Sequence, residues 1–143
     1  MEDAMNIGQA AKATGISAKM IRYYEDNGLI GPVARSASGY RLYGPRDIHT
    51  LGFIKRSRDL GFSVERIGEL LALWRDRSRH SADVKRMALE HVAVLQQRIA
   101  ELQDMMQAVQ ALADCCAGDA RPDCPILRGI EGSVGDGRAE AAK

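Results

Sequence analysis

The chain has 143 residues, of which 45% are hydrophobic, 27% charged and 5% aromatic, with a formal net charge of +1. This composition excludes a globally disordered chain and leaves room for one compact domain, or a small domain with an elongated appendage. No apolar run reaches the roughly 20 residues of a membrane-spanning helix, no secretory signal is visible, and the three cysteines are too few and too clustered for a secreted disulfide framework. The expectation is a cytoplasmic protein with reduced thiols and no membrane contact. The small net charge conceals an asymmetry: Ala4 to Leu60 holds 9 Lys and Arg against 4 Asp and Glu, whereas Gly61 to Lys143 holds 11 against 13. A basic first half suggests that only this half meets a polyanion.

In chain order, Asn6 to Ala13 predicts a short helix with Ile7, Ala10 and Ala11 at helical spacing. Thr14-Gly15-Ile16-Ser17 reads as a tight turn, with Ser17 the N-cap of a second helix over Ala18 to Asn27. Met20, Ile21 and Tyr24 form the apolar face of that helix, and Asn27-Gly28 ends it. Two short helices joined by a glycine turn make a helix-turn-helix. From Leu29 to Tyr43 the pattern changes to a small β-hairpin, a wing, with Ser36-Ala37-Ser38-Gly39 at its turn and Tyr40-Arg41-Leu42-Tyr43 alternating. Pro45 opens a third helix, Pro45 to Asp59, and Ser63 caps a fourth carrying Ile67, Leu70, Leu71 and Trp74. Residues 1–80 are therefore expected to form a winged helix-turn-helix domain, and the fold to be mainly α.

Ser81 to Ala113 contains neither proline nor glycine, and Ala88, Val92, Leu95, Ile99, Leu102, Met106 and Val109 recur at alternating steps of four and three. This heptad stripe predicts a helix over 81–113, about 50 Å long at 1.5 Å per residue. A domain this small cannot cover so long an apolar stripe, so the helix calls for a second copy of the chain, a homodimer. Residues 114–131 read as a cysteine-bracketed loop followed by a short apolar helix, and 132–143 as a disordered tail.

The second helix exposes Ser17, Lys19, Arg22 and Tyr23, and the wing offers Arg35, Tyr40 and Arg41. Basic and aromatic side chains on such a helix and wing are the residue types that reach base edges and phosphates of double-stranded DNA. Ile7-Gly8-Gln9-Ala10-Ala11, Ile21-Arg22-Tyr23-Tyr24-Glu25 with Gly28-Leu29-Ile30, and Gly39-Tyr40-Arg41-Leu42-Tyr43 occur in an order and spacing that resemble the MerR family of transcriptional regulators. The resemblance runs from Asn6 to about Ile130. It implies a winged-helix DNA-binding domain, a long antiparallel dimerisation helix and a C-terminal effector site. It also implies an activator that bends and untwists an over-long promoter spacer so that RNA polymerase holoenzyme can use both promoter elements.

Cys116 and Cys124 flank a loop containing Gly118 and Pro122. Soft thiolates favour Cu(I), Zn and similar ions, and Zn sites want three or four protein ligands. Two cysteines without a third donor suit a two-coordinate monovalent ion, Cu(I) and equally Ag(I) or Au(I). Cys116…Cys124-Pro125-Ile126 and His80-Ser81-Ala82-Asp83-Val84-Lys85 resemble the copper-responsive branch of the family, the CueR/HmrR type. The resemblance implies that divalent-metal sensors carry a cysteine where this chain has Ser81. Ser81 at a helix N-terminus and Lys85 one turn on are expected to stand beside the ion and offset the negative charge of a bis-thiolate centre. Cys115, adjoining Cys116, is expected to be a spectator. A sensor of Zn(II), and an organic-ligand or thiol-redox sensor, are the alternatives. The sequence shows no acid–base pair, activated nucleophile or phosphate-binding glycine loop of an enzyme.

Overall fold

The computed structural model describes residues 4–120, 122 and 124–135. Its elements in chain order are α1 (Ile7–Thr14), α2 (Ala18–Asp26), β1 (Ala34–Arg35), β2 (Arg41–Leu42), α3 (Pro45–Asp59), α4 (Val64–Arg75), α5 (Ser81–Asp114) and α6 (Pro125–Gly135). The expected tail from residue 132 is corrected in part, since α6 runs on through Gly135; the remainder, 136–143, lies outside the described residues.

Local chemistry sets the first elements. Asn6 caps α1 rather than beginning it, accepting the Gln9 N–H while the Gln9 side chain accepts the Asn6 N–H. Gly15 ends α1 at φ 75°, and its N–H donates to the Ala11 carbonyl. A side chain at that φ is strained, which is why glycine makes the turn. Ser17 then caps α2 by accepting the Met20 N–H at 3.1 Å. The wing is an antiparallel pair, Ala34 opposite Leu42 and Arg35 opposite Arg41. Met5 extends it by exchanging two backbone hydrogen bonds with Tyr43.

The chain divides into two compact units, Met1–His91 and Val92–Lys143. The core of the first unit is built from Ala10 of α1, Ile21 and Tyr24 of α2, Leu51 and Ile54 of α3, Ile67 and Leu71 of α4, and Tyr43 beside the wing, all essentially inaccessible. The first unit takes in the opening turns of α5, which pack on it. Met87 is buried, Glu90 pairs with Arg66 of α4, and the His91 ring stacks on Phe62 at 3.8 Å. His91 Nε2 lies 2.7 Å from the Leu60 carbonyl, and a carbonyl accepts, so that nitrogen carries the proton.

In the second unit, α5 continues to Asp114 with its apolar stripe uncovered: Val92, Ile99, Leu102, Met106 and Val109 are 46% to 64% exposed. The end of the helix is different. A Cβ placed on Gly129 of α6 would come within 2.3 Å of Leu112 Cδ2, so glycine there lets α6 lie close against α5.

Candidate functional site

Two groups of side chains stand out, one in each unit. In the first, α2 and the wing present a continuous polar surface. Its apolar residues Ile21 and Tyr24 point into the core, which turns Lys19, Arg22 and Tyr23 outward, all exposed. Ser17 is exposed as well, but its hydroxyl oxygen is engaged as the cap of α2. The wing turn closes through Gly39, φ 88°, whose carbonyl accepts from the Arg35 guanidinium at 2.8 Å. Tyr40 beside it is 72% exposed, so its ring has no place in the core. Between the helices and the wing lies a groove of about 710 Å3 whose walls include Arg22, Arg35, Tyr40 and Arg41.

Arg41 carries a feature that its sequence position conceals. Its Nε donates to Glu25 Oε1 of α2 at 2.8 Å, and both side chains are largely covered. A carboxylate on Nε fixes the plane of the guanidinium and leaves the Nη pair to address another acceptor. Glu25 thus ties the wing to the recognition helix. The Tyr43 hydroxyl lies buried nearby; burial first, and then the Glu25 charge, push the phenol above its ordinary pKa. Periodicity cannot reveal a pairing between residues sixteen apart. The available signal was an acid at the end of a helix followed by a wing with an arginine.

In the second unit Cys116 follows the end of α5, its N–H donating to the Ala113 carbonyl at 3.0 Å. Gly118 turns the chain at φ 71°, and Cys124 precedes α6, its carbonyl accepting the Arg128 N–H at 3.1 Å. Cys115, Cys116 and Cys124 are in no disulfide; Cys115 is exposed, whereas Cys116 and Cys124 are half-buried. Among the described residues, no three His, Cys, Asp or Glu side chains of one chain gather as a metal cluster. The two thiols Cys116 and Cys124 are donors that fit a soft ion. Ser81 and Lys85 stand in the first turns of α5 and are both exposed.

Comparison with known proteins gives a consistent picture. The family described as MerR HTH family regulatory protein matches residues 5–73, and that described as MerR, DNA binding matches 48–112. The chain is 60% identical over 136 residues to the HTH-type transcriptional regulator HmrR of Sinorhizobium medicae, covering 95% of this chain and 92% of that one. It is 61% identical over 126 residues to the heavy metal-dependent transcription regulator 2 of Rhizobium meliloti, covering 88% and 86%. Among solved structures, the transcription regulator PbrR691 of Ralstonia metallidurans, in complex with lead(II), superposes with a TM-score of 0.72 at 27% identity, covering 88% of this chain and 98% of that one.

Proposed function

This chain belongs to the MerR family of helix-turn-helix transcription regulators, and from that premise we propose that it is a cytoplasmic, dimeric activator that senses Cu(I) and distorts promoter DNA for RNA polymerase holoenzyme. The observation that carries the reading of the ion is the donor set: two half-buried thiols, Cys116 and Cys124, bracketing one loop. A relative of 61% identity is described as heavy metal-dependent, which supports metal as the effector. The choice among metals rests on the donors and on the resemblance to the copper-responsive branch. Ser81 stands where a divalent-metal sensor is expected to supply a third thiolate. Ag(I) and Au(I) satisfy the same two sulfurs.

A bis-thiolate ion carries one negative charge, and burying it requires compensation. Ser81 and Lys85 occupy the first turns of α5, while the cysteine loop follows its last. Antiparallel pairing of two α5 helices brings the loop of one chain to the first turns of its partner's helix. There the positive end of the helix dipole and the Lys85 ammonium oppose the negative charge. The uncovered stripe from Val92 to Val109 supports that pairing.

On the DNA side, Lys19, Arg22 and Tyr23 enter the major groove from α2. Arg35, Tyr40 and Arg41 hold the backbone from the wing, with Glu25 orienting Arg41. The opening turns of α5, bound to α4 through Glu90 and to the turn between α3 and α4 through His91, link the dimer helix to the DNA-reading unit.

Replacing both Cys116 and Cys124 with serine tests the reading. The double variant is expected to keep promoter binding and to lose the copper-dependent rise in transcription. A variant that responds to copper as the parent does contradicts it, and one that instead keeps its response to an organic inducer or an oxidant favours a sensor of another kind.

A further inference from the structure

A strongly charged cavity lies outside the groove between α2 and the wing. Arg46, Arg75, Arg77 and Arg79 line a concavity of about 590 Å3 together with Trp74. A second cavity, of about 360 Å3, shares Arg46 and Arg75 and adds Thr50 and Asp47. The four guanidiniums come from two places, the first turn of α3 and the segment that ends α4 and leads towards α5.

Backbone carbonyls hold two of these guanidiniums in place. Arg79 donates to the Trp74 carbonyl at 3.1 Å and to that of Asp76 at 3.3 Å, and Arg75 donates to the Leu29 carbonyl at 3.4 Å. The indole of Trp74 is fixed by a stack on Phe53 at 4.3 Å. Among the described residues none of the four arginines forms an ion pair. The two acids closest in sequence are outnumbered by the four arginines: the Asp76 carboxylate feels the charge of Arg79, and Asp47 lines the smaller cavity. Asp76 accepts the N–H and hydroxyl of Ser78 at 2.9 and 2.6 Å, and Asp47 accepts the Gly44 N–H at 3.0 Å. Like charges gathered in one concavity repel, so an anion there relieves a cost that the folded chain otherwise bears.

We propose that this cavity is a binding site for a phosphate group, distinct from the surface of α2 and the wing and from the cysteine loop. Arginine forks match phosphate oxygens in pairs. A tetrahedral group with several charged oxygens meets guanidiniums converging from different elements, whereas a carboxylate fills one fork. The first turn of α3, with Pro45 and Arg46 at its head, adds the positive end of a helix dipole. The phosphate comes either from the DNA backbone beyond the segment read by α2 and the wing, or from a small phosphorylated anion. The proposal is independent of which metal the protein senses.

The reduced, full-length protein and its Arg46→Gln/Arg77→Gln variant test it. Pyrophosphate at constant ionic strength is expected to raise the unfolding temperature of the parent by about 4 °C or more once it exceeds its Kd tenfold, and the variant is expected to lose most of that rise. On non-specific duplex DNA, the slope of log K against log salt is expected to fall by about 0.9 for each phosphate contact removed. Loss of the pyrophosphate effect with an unchanged DNA slope identifies a small anion as the occupant. A reduced slope identifies the DNA backbone, whether or not pyrophosphate acts. If pyrophosphate affects parent and variant alike and the slopes coincide, the proposal is overturned.

Discussion

From Ile7 to His91, four helices, a two-stranded wing and the opening turns of α5 bury Ile21, Tyr43, Leu51, Ile54 and Ile67 completely within one chain. From Val92 to Asp114 the same α5 continues for six more turns, and among the described residues it buries none of its apolar side chains. The contrast shows where each stretch finds its stability. In the first, short helices meet at angles set by caps and glycine turns, so apolar faces are satisfied by neighbours in the same chain. In the second, a straight helix has no neighbour in its own sequence long enough to cover it, and its stripe is a surface awaiting a second copy. The first unit should therefore behave as a folded domain at any concentration, and the second as one whose order depends on protein concentration.

The most disruptive way to break this contrast is a charge in the stripe. Leu102→Asp is expected to cost the dimer about 3 kcal/mol or more over two copies, raising its dissociation constant at least about a hundredfold. Sedimentation would show a monomer, while the near-UV signature of Trp74 in the first unit persists. Loss of that signature with dimerisation would mean that the two units do not fold separately. Leu51→Ala acts on the other side of the comparison. Truncating a fully buried leucine costs about 2–5 kcal/mol, and the fall in unfolding temperature is expected at every concentration, with dimerisation of the folded protein unaffected.

Glu25→Gln sharpens the reading of the first unit. Charge counting alone says that removing an acid from a DNA-binding surface tightens binding to a polyanion. The Arg41–Glu25 bond says the reverse, because the guanidinium loses the group that orients it. A drop of about fivefold in promoter affinity is expected; tighter binding in a filter or fluorescence assay would discard the orienting role.

The smallest effect concerns the joint between α4 and α5. Glu90 is held below the ordinary carboxylate pKa, chiefly by the hydrogen bond from Arg66. A depressed carboxylate contributes its stability in full above its ordinary pKa and loses it as the pH falls through the lowered one. The unfolding temperature of an Arg66→Gln variant should therefore lie slightly below that of the parent at neutral pH and converge with it in acid. A gap that widens in acid would contradict the pairing.

Much of the architecture was legible because its signals are local. Ser17 as a cap, Pro45 as the head of α3 and the unbroken run from Ser81 each mark an element boundary through the backbone groups they satisfy or leave free. Where the signal is weak or distant, the reading faltered. Gly132 and Gly135 argue against extending the short helix, yet α6 runs through both; the helix the sequence places after the loop is there, with Gly129 packed on Leu112, and propensity does not mark its end. The packing of α5 on residues 60–66 was hidden because a ring stack and a salt bridge leave no trace in heptad spacing. At the candidate sites, residue types were readable on α2, on the wing and in the cysteine loop. The engagement of Arg41 by Glu25 and the arginines gathered around Trp74 required the fold, since each joins side chains from separate elements.

The central claim is that two sulfurs of this chain hold one monovalent soft ion. X-ray absorption at the copper edge of the reduced protein loaded with Cu(I) tests it most directly. Two sulfur neighbours, lost when Cys116 and Cys124 are replaced by serine, are the expected result. A site of four mixed sulfur and nitrogen neighbours, or an unchanged spectrum in the serine variant, would contradict it.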